Sequence, residues 1–524
     1  MKTLEEVLEK WEPVIGLEVH AELTTLKTKM FCGCELSFGD EPNTHTCPVC
    51  LGMPGALPVP NKAAIESIVL AGLATNCDIE KHSMFYRKNY VYPDMSKNFQ
   101  TTQGPIAFCM RGHLELDVDA KNSGERYGVD KMSKGDVCEN IVKTDNGYRA
   151  HVGITRIHME EDAGKMIHIG GGEGRIAGAT NSLVDYNRAG TPLIELVTEP
   201  DLRTPEEARL FMQKLRQIYL AIGISDCSME KGSLRCDGNI SLRKRGTTEF
   251  GTKTELKNIN SFKSLHDGLY YEILRQAQAL EDGEAIRQET RHWDPSAKRT
   301  IVMRVKETAD DYRLFPEPDL APFDLSDEYI ENVRKKLPEL PDQKAKRFEE
   351  NFGLSEYDAR HLIEHRGTCK LFEEAIAVAK DANDEFAKGL ANIIINDISG
   401  WLNADESNDL STSPFTPKRI ADLVDLSTSG KISKAQQKTV FAAILEEDKD
   451  PAVIVSEKGL EQVSDTGAIE AVVDKVLTAN PDKVEQYRGG KTGLIGFFVG
   501  QCMKEMQGKG DPKLINKTLA EKLA

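Results

Sequence analysis

No apolar run among the 524 residues approaches the roughly 20 residues that a helical membrane span requires, so a membrane-embedded protein is not expected. The opening residues, Met1-Lys-Thr-Leu-Glu-Glu6, lack the apolar stretch of a secretory signal and the Arg- and Ser-rich texture of a transit peptide. A cytoplasmic location is the resulting expectation. An excess of basic charge is missing too. With 84 Asp and Glu against 67 Lys and Arg, the net charge is −17. That argues against a general nucleic-acid coat, but it leaves room for RNA held on a local basic surface. Nor is there a disulfide framework: the 11 cysteines are odd in number and seven are scattered singly, as in a reducing compartment. The length exceeds one core and implies about two to four domains.

The other four cysteines are not scattered. Cys32-Gly-Cys34 and Cys47-Pro-Val-Cys50 are two close thiol pairs twelve residues apart, the layout of a closed, tetrahedral structural zinc site. Such a metal staples a loop too small to have its own core and leaves no open position for chemistry. A redox pair is the alternative.

Several stretches alternate with period two and carry unusual polar sides. In Ile154–Lys165, Ile154, Arg156, His158 and Glu160 fall on one side of a strand, and Ile157 and Met159 on the other. Glu161 and Asp162 follow at once, and Gly164 gives the chain a way to turn before Lys165. In Val14–Leu23, Glu18, His20 and Glu22 oppose Ile15, Leu17, Val19 and Leu23. Arg235, Asp237, Asn239, Ser241 and Arg243 share one side of another run, as do Lys253, Glu255 and Lys257, and then Arg304 and Lys306. Each could be a solvated, salt-bridged face. Lining one cleft together, they would suit a divalent cation and a phosphorylated ligand. The stretch Phe85–Asp94 interleaves three tyrosines with Arg87 and Lys88, which can stack on a base and pair with phosphate, or can be plain surface.

A helix is expected from about Lys62 to Thr75, and another from the capping sequence Thr204-Pro-Glu-Glu207 to Gly223. Gly170–Gly174 reads as a flap, lacking the spacing of a phosphate loop. From Leu337 the pattern is helical, interrupted by a polar linker over residues 403–416. The expected fold is therefore α+β. A mainly antiparallel-sheet cradle with its zinc-binding loop occupies residues 1–337, a helical domain 338–408 and an all-α tail 415–524.

Histidine among a majority of oxygen ligands favours Mg²⁺ or Mn²⁺ over catalytic zinc. Phosphoryl transfer, metal-dependent hydrolysis and an RNA-binding scaffold without chemistry of its own all remain open on the residues alone.

Beyond these features the sequence resembles the B subunits of bacterial and organellar aspartyl/glutamyl-tRNA(Asn/Gln) amidotransferases. The resemblance runs through Val14–Leu23, Asn43–Pro60, Arg87–Asp94, Ile154–Lys165, Asp185–Pro192, Met229–Ser241, Gly251–Phe262, Gln288–Arg291 and Asp311–Leu320. It departs from the family at Met95-Ser96, at Leu314 and in the length of Met166–Asn181. The resemblance implies a heterotrimer with an amidase A subunit and a small C subunit. It implies phosphorylation, with ATP and Mg²⁺, of the side-chain carboxylate of Glu or Asp misacylated onto tRNA(Gln) or tRNA(Asn), then amidation by ammonia from the A subunit. The family's metal-binding face maps onto Glu18, His20, Glu160 or Glu161, Asp237 and Glu255, its zinc onto Cys32, Cys34, Cys47 and Cys50, and its tRNA-binding domain onto the tail. Alternation favours Glu160, whereas a strand end or bulge at Met159 would bring in Glu161. Arg156, Lys165, Lys253, Lys257 and Arg87 are further candidates for phosphate or substrate contacts.

Overall fold

A computed structural model describes residues 3–170, 178–305, 312–405, 408–461, 466–506 and 510–523. Most of the Gly170–Gly174 run, together with Lys306, lies outside them. The chain divides into two compact units, Met1–Leu340 and Pro341–Ala524.

The first unit is built on one large sheet. Its strands include β1 (Trp11–Glu22), β2 (Phe85–Asn89), β3 (Phe99–Gln103), β4 (Cys109–Asp119) and β5 (Gly147–Glu161). Further along come β6 (Pro192–Thr198), β7 (Leu234–Lys244), β8 (Thr254–Ile259), β9 (Glu289–Asp294) and β10 (Arg299–Val305). In space they run β10-β9-β8-β7-β1-β6-β5-β3-β2, with β4 also paired to β5. Pairing is antiparallel except between β8 and β9. Ile15, Leu17, Val19 and Ala21 of β1 are buried, while Glu18, His20 and Glu22 lie half-buried on the opposite face.

Helices α1 (Lys62–Ala74), α2 (Pro205–Ala221) and α3 (Phe262–Glu281) contribute to this unit. Thr204 caps α2 as its sequence demands, Oγ1 accepting from the Glu207 amide at 2.9 Å. The helix α3 packs on β7 where Gly238 leaves room: a Cβ there would lie 3.3 Å from Leu269 Cδ2. Asp237 and Asn239, on either side of Gly238, are thereby freed for the other face.

One alternation breaks. On β5, Ala150, Val152 and Ile154 are core, and then Ile157 and Met159 are. The strand bulges where Arg156 pairs with Val197 but Ile154 with Thr198. Ile154 therefore joins the core rather than the polar side on which it was expected.

The second unit is helical. Its larger cluster takes in Phe348, Phe372, Leu390 and Ile394, and also Phe415, Ile420, Val424, Val440 and Ile454. The apolar packing thus crosses the 403–416 stretch, where a domain boundary was expected, because the polar run ends in Phe415 and leads into the apolar stripe of Pro417–Thr428. A separate cluster joins Ile469, Val473, Phe498, Cys502, Ile515 and Leu519. Among the described residues no helix is long and apolar enough to cross a membrane.

Candidate functional site

Strand pairing assembles a set of acids and imidazoles. β1 lies between β6 and β7, with His20 opposite Glu195 on one side and Arg235 on the other, and Glu18 opposite Asp237. β6 also pairs with β5, where Glu195 faces His158. Residues directly opposite in a ladder project from the same face. Glu18, His20, Glu195 and His158 therefore converge, and Glu160, two residues along β5, joins them. His20 Nε2 lies 3.2 Å from Glu195 Oε2 and 3.7 Å from Glu18 Oε1. His158 Nε2 lies 3.6 Å from the same Glu195 oxygen and 3.4 Å from Glu160 Oε1. Glu195 thus joins two three-residue groups, each with donor atoms within 4.8 Å of one another.

The acids and imidazoles of this set perturb one another strongly. Burial by itself would raise the Glu160 carboxyl, yet the His158 hydrogen bond and the Lys88 charge hold it well below the usual carboxylate range. Lys88 Nζ stands 3.7 Å away, and Thr102 Oγ1 and Gln100 Nε2 each donate to Glu160 at 3.0 Å. Glu195 is held down against burial by His158 and His20. Glu18 is pushed up, first by burial and then by the charge of Glu195. His20 ends above the ordinary imidazole value: burial pulls it down, but the hydrogen bond and charge of Glu195 outweigh that. Buried His158 Nδ1 has no hydrogen-bond partner among the described residues. Three carboxylates, two imidazoles and an orphaned ring nitrogen fit a divalent cation, which would relieve the repulsion.

The other expected residues distribute differently. Asp237 and Glu255 are both taken by Lys257, whose ammonium is hydrogen-bonded to Asp237 Oδ2 and lies 3.2 Å from Glu255 Oε1. Thr290 Oγ1 also donates to Glu255, at 2.9 Å. They form an ion cluster that adjoins the acid–imidazole set at Glu18, with Lys257 as its cation. Glu161 points to the opposite face, because no bulge occurs at Met159. It accepts from the Thr101 amide at 2.8 Å and pairs with Lys97. With Lys29, Phe31, Cys50 and Arg87 it lines a cavity of about 240 Å³.

Arg87 shares that face and is occupied. Nε and Nη2 each donate at 2.7 Å to the two oxygens of Glu317, and Nη2 reaches Asp319 at 3.0 Å. It clamps residues 317–319. Lys165 lies on a separate two-stranded hairpin (Lys165–Ile169 with Asn181–Asp185), and Lys253 is exposed. Arg156 is half-buried two residues along β5 from His158 and makes no ion pair among the described residues. Glu22 keeps to its face but turns to Asp162; burial and that neighbour raise its carboxyl to about 8. Gly164 serves a close approach, since a Cβ there would stand 2.9 Å from the Asp185 carbonyl.

Sequence reasoning missed Glu195, and it left His158, Lys88, Thr102 and Gln100 out of the ligand shell. Glu195 did carry a signal: it is the one charged residue in the apolar run Pro192-Leu-Ile-Glu-Leu-Val197, and a buried charge needs a partner.

The four loop cysteines do converge, with all sulfurs within 4.8 Å of one another. Cys47 and Cys50 Sγ are 3.9 Å apart, against roughly 3.8 Å for the edge of a tetrahedron with Zn–S of about 2.3 Å. The Cys50 thiol is lowered to about 5 by hydrogen bonding from Cys32 and Cys47 and by the charge of Lys29, whose Nζ is 3.7 Å away. Zinc needs such a thiolate.

Comparison with known proteins agrees with this layout. A family model described as the GatB/GatE catalytic domain matches residues 13–331, and one described as the GatB domain matches residues 370–523. The B subunit of the aspartyl/glutamyl-tRNA(Asn/Gln) amidotransferase of Carboxydothermus hydrogenoformans is 48% identical over 517 residues, 99% of this chain and 100% of that protein. The proteins of the same name from Persephonella marina and Geobacter sp. strain M21 are 48% and 47% identical. Each match covers 98% of this chain, and 100% and 99% of those proteins respectively. Likeness of this degree over nearly the full length makes the chain a member of the family of aspartyl/glutamyl-tRNA(Asn/Gln) amidotransferase B subunits.

Proposed function

We propose that the chain is the ATP-using component of a tRNA-dependent amidotransferase, a ligase that converts Glu-tRNA(Gln), Asp-tRNA(Asn) or both to the amide form. The side-chain carboxylate of the misacylated amino acid attacks the γ-phosphorus of ATP; the new O–P bond forms as the bond to ADP breaks. Ammonia then attacks the acyl carbon, phosphate leaves, and the nitrogen loses a proton. Two steps are needed because a carboxylate is a poor acyl donor and an acyl phosphate a good one.

The observation that carries this reading is the acid–imidazole set, which gathers three carboxyls and two imidazoles on one sheet face. Glu18, His20, Glu160 and Glu195, with His158, would hold Mg²⁺. When bound, that cation supplies charge neutralisation to the transferring phosphoryl group. Around it, Lys88 and Lys257 are anchored cations, and Arg156 makes no ion pair among the described residues; these three would meet phosphate oxygens. Water must be kept from the acyl phosphate, and the flanking strands, buried on their other face, form a rigid floor for that enclosure. The cysteine quartet would hold a structural Zn²⁺, and the helical unit would grip the tRNA. An amidase A subunit would supply ammonia and a small C subunit would complete a cytoplasmic heterotrimer. The tRNA(Asn/Gln) in the relatives' shared name supports the choice of substrate.

The test is ATP hydrolysis by the chain with its partner subunits. Phosphate release only in the presence of misacylated tRNA is expected. Release that is indifferent to it would reject the reading.

A further inference from the structure

We propose that the outward face of β4 and β5 carries a second cation site, selective for a Zn²⁺-like transition metal and built by His113, Glu115 and His151. In this ladder Glu115 lies directly opposite His151, and His113 is one step on, opposite Gly153. One donor atom from each side chain lies within 4.8 Å of the other two. The two imidazoles are stacked, with ring centroids 4.8 Å apart and planes 27° from parallel. Glu115 Oε1 is 2.7 Å from His151 Nδ1. That contact sets a nitrogen and an oxygen side by side, as two ligands of one cation must stand. The His113 ring makes no hydrogen bond among the described residues.

The backbone under these side chains is fixed from both sides. The His113 amide donates to Thr75 O at 3.0 Å, and its carbonyl accepts from Asn76 Nδ2 at 3.2 Å. The His151 amide donates to Asn140 O and its carbonyl accepts from Asn140 Nδ2, both at 2.8 Å. Donors on a rigid ladder lose little freedom when a metal joins them. Gly153, across from His113, is closely covered by Glu199 and Asp201, which add negative charge beside the three donors. Two nitrogens and one oxygen select Zn²⁺, Ni²⁺ or Cu²⁺ over Mg²⁺, with water completing the shell. The site is separate from the acid–imidazole set: His151 precedes His158 by seven residues, roughly 23 Å of strand.

The full-length chain, with its cysteine quartet loaded with zinc and Mg²⁺ in excess, is titrated with Zn²⁺ by calorimetry. Wild type is expected to take up one more Zn²⁺ per chain than the His113→Ala/His151→Ala double variant, and Glu115→Gln to weaken that step by about tenfold. One equivalent of Cu²⁺ added to wild type should show two nitrogen couplings by electron paramagnetic resonance, reduced to one in His151→Asn. Equal stoichiometry in wild type and double variant, or a Cu²⁺ spectrum indifferent to His151→Asn, would overturn the site.

Discussion

Replacing Glu195 with Gln is the sharpest perturbation of the acid–imidazole set. The substitution keeps shape and one acceptor but removes the charge on which both imidazoles converge, at 3.2 Å from His20 and 3.6 Å from His158. Glu195 is 7% exposed, so water cannot replace that charge. A hydrogen bond to a charged group contributes about 1.5–3 kcal/mol, and each ~1.4 kcal/mol is a factor of ten. The Mg²⁺ concentration for half-maximal amide formation should therefore rise by roughly 10- to 100-fold, the range for disturbed metal shells. The assay is ATP-dependent amidation of misacylated tRNA across a Mg²⁺ titration, with the glutaminase activity of the A subunit as internal control. An unchanged Mg²⁺ midpoint, with both activities intact, would refute a metal centre that includes Glu195.

Arg87→Ala should act on stability rather than on ATP. Stranding Glu317, whose side chain is 2% exposed, should cost about 3–5 kcal/mol and lower the melting temperature. The Michaelis constant for ATP should stay level below that temperature, and a raised constant in an equally stable variant would restore a phosphate contact. His266 gives a pH-dependent case. Its hydrogen bond to Glu125 raises its pKa against burial, with Asp267 adding to the rise. A raised folded value means stability that is fully present below the unfolded imidazole value of about 6.5 and is lost as pH climbs through the folded one. His266→Asn should thus cost more stability at pH 6 than at pH 9 in thermal denaturation. Equal costs at the two pH values would contradict it.

Local chemistry was legible in the sequence, but neighbourhood was not. Alternation in Val14–Leu23 is enough to put Glu18 and His20 on one face, since a strand's period is fixed by its backbone. Which strands lie beside β1 is a non-local matter. Glu195 enters the site only because β6 inserts between β1 and β5. The bulge at Thr155–Arg156 flips half of β5, and no residue there announces it. Lys257 could be seen to share a side with Glu255, but its grip on Asp237 depends on the pairing of β7 with β8. The partner of Arg87 lies 230 residues away. Similarly, the polar texture of 403–416 reads as a linker, and nothing local to it shows that Phe415 and the stripe after it pack in one apolar cluster with the helices before it.

The most direct measurement is the anomalous scattering of crystals of the intact complex grown with Mn²⁺ in place of Mg²⁺. A metal centre on this sheet face predicts a peak bounded by Glu18, His20, Glu160 and Glu195. A peak between Asp237 and Glu255, with Lys257 displaced and both imidazoles out of reach, would contradict it.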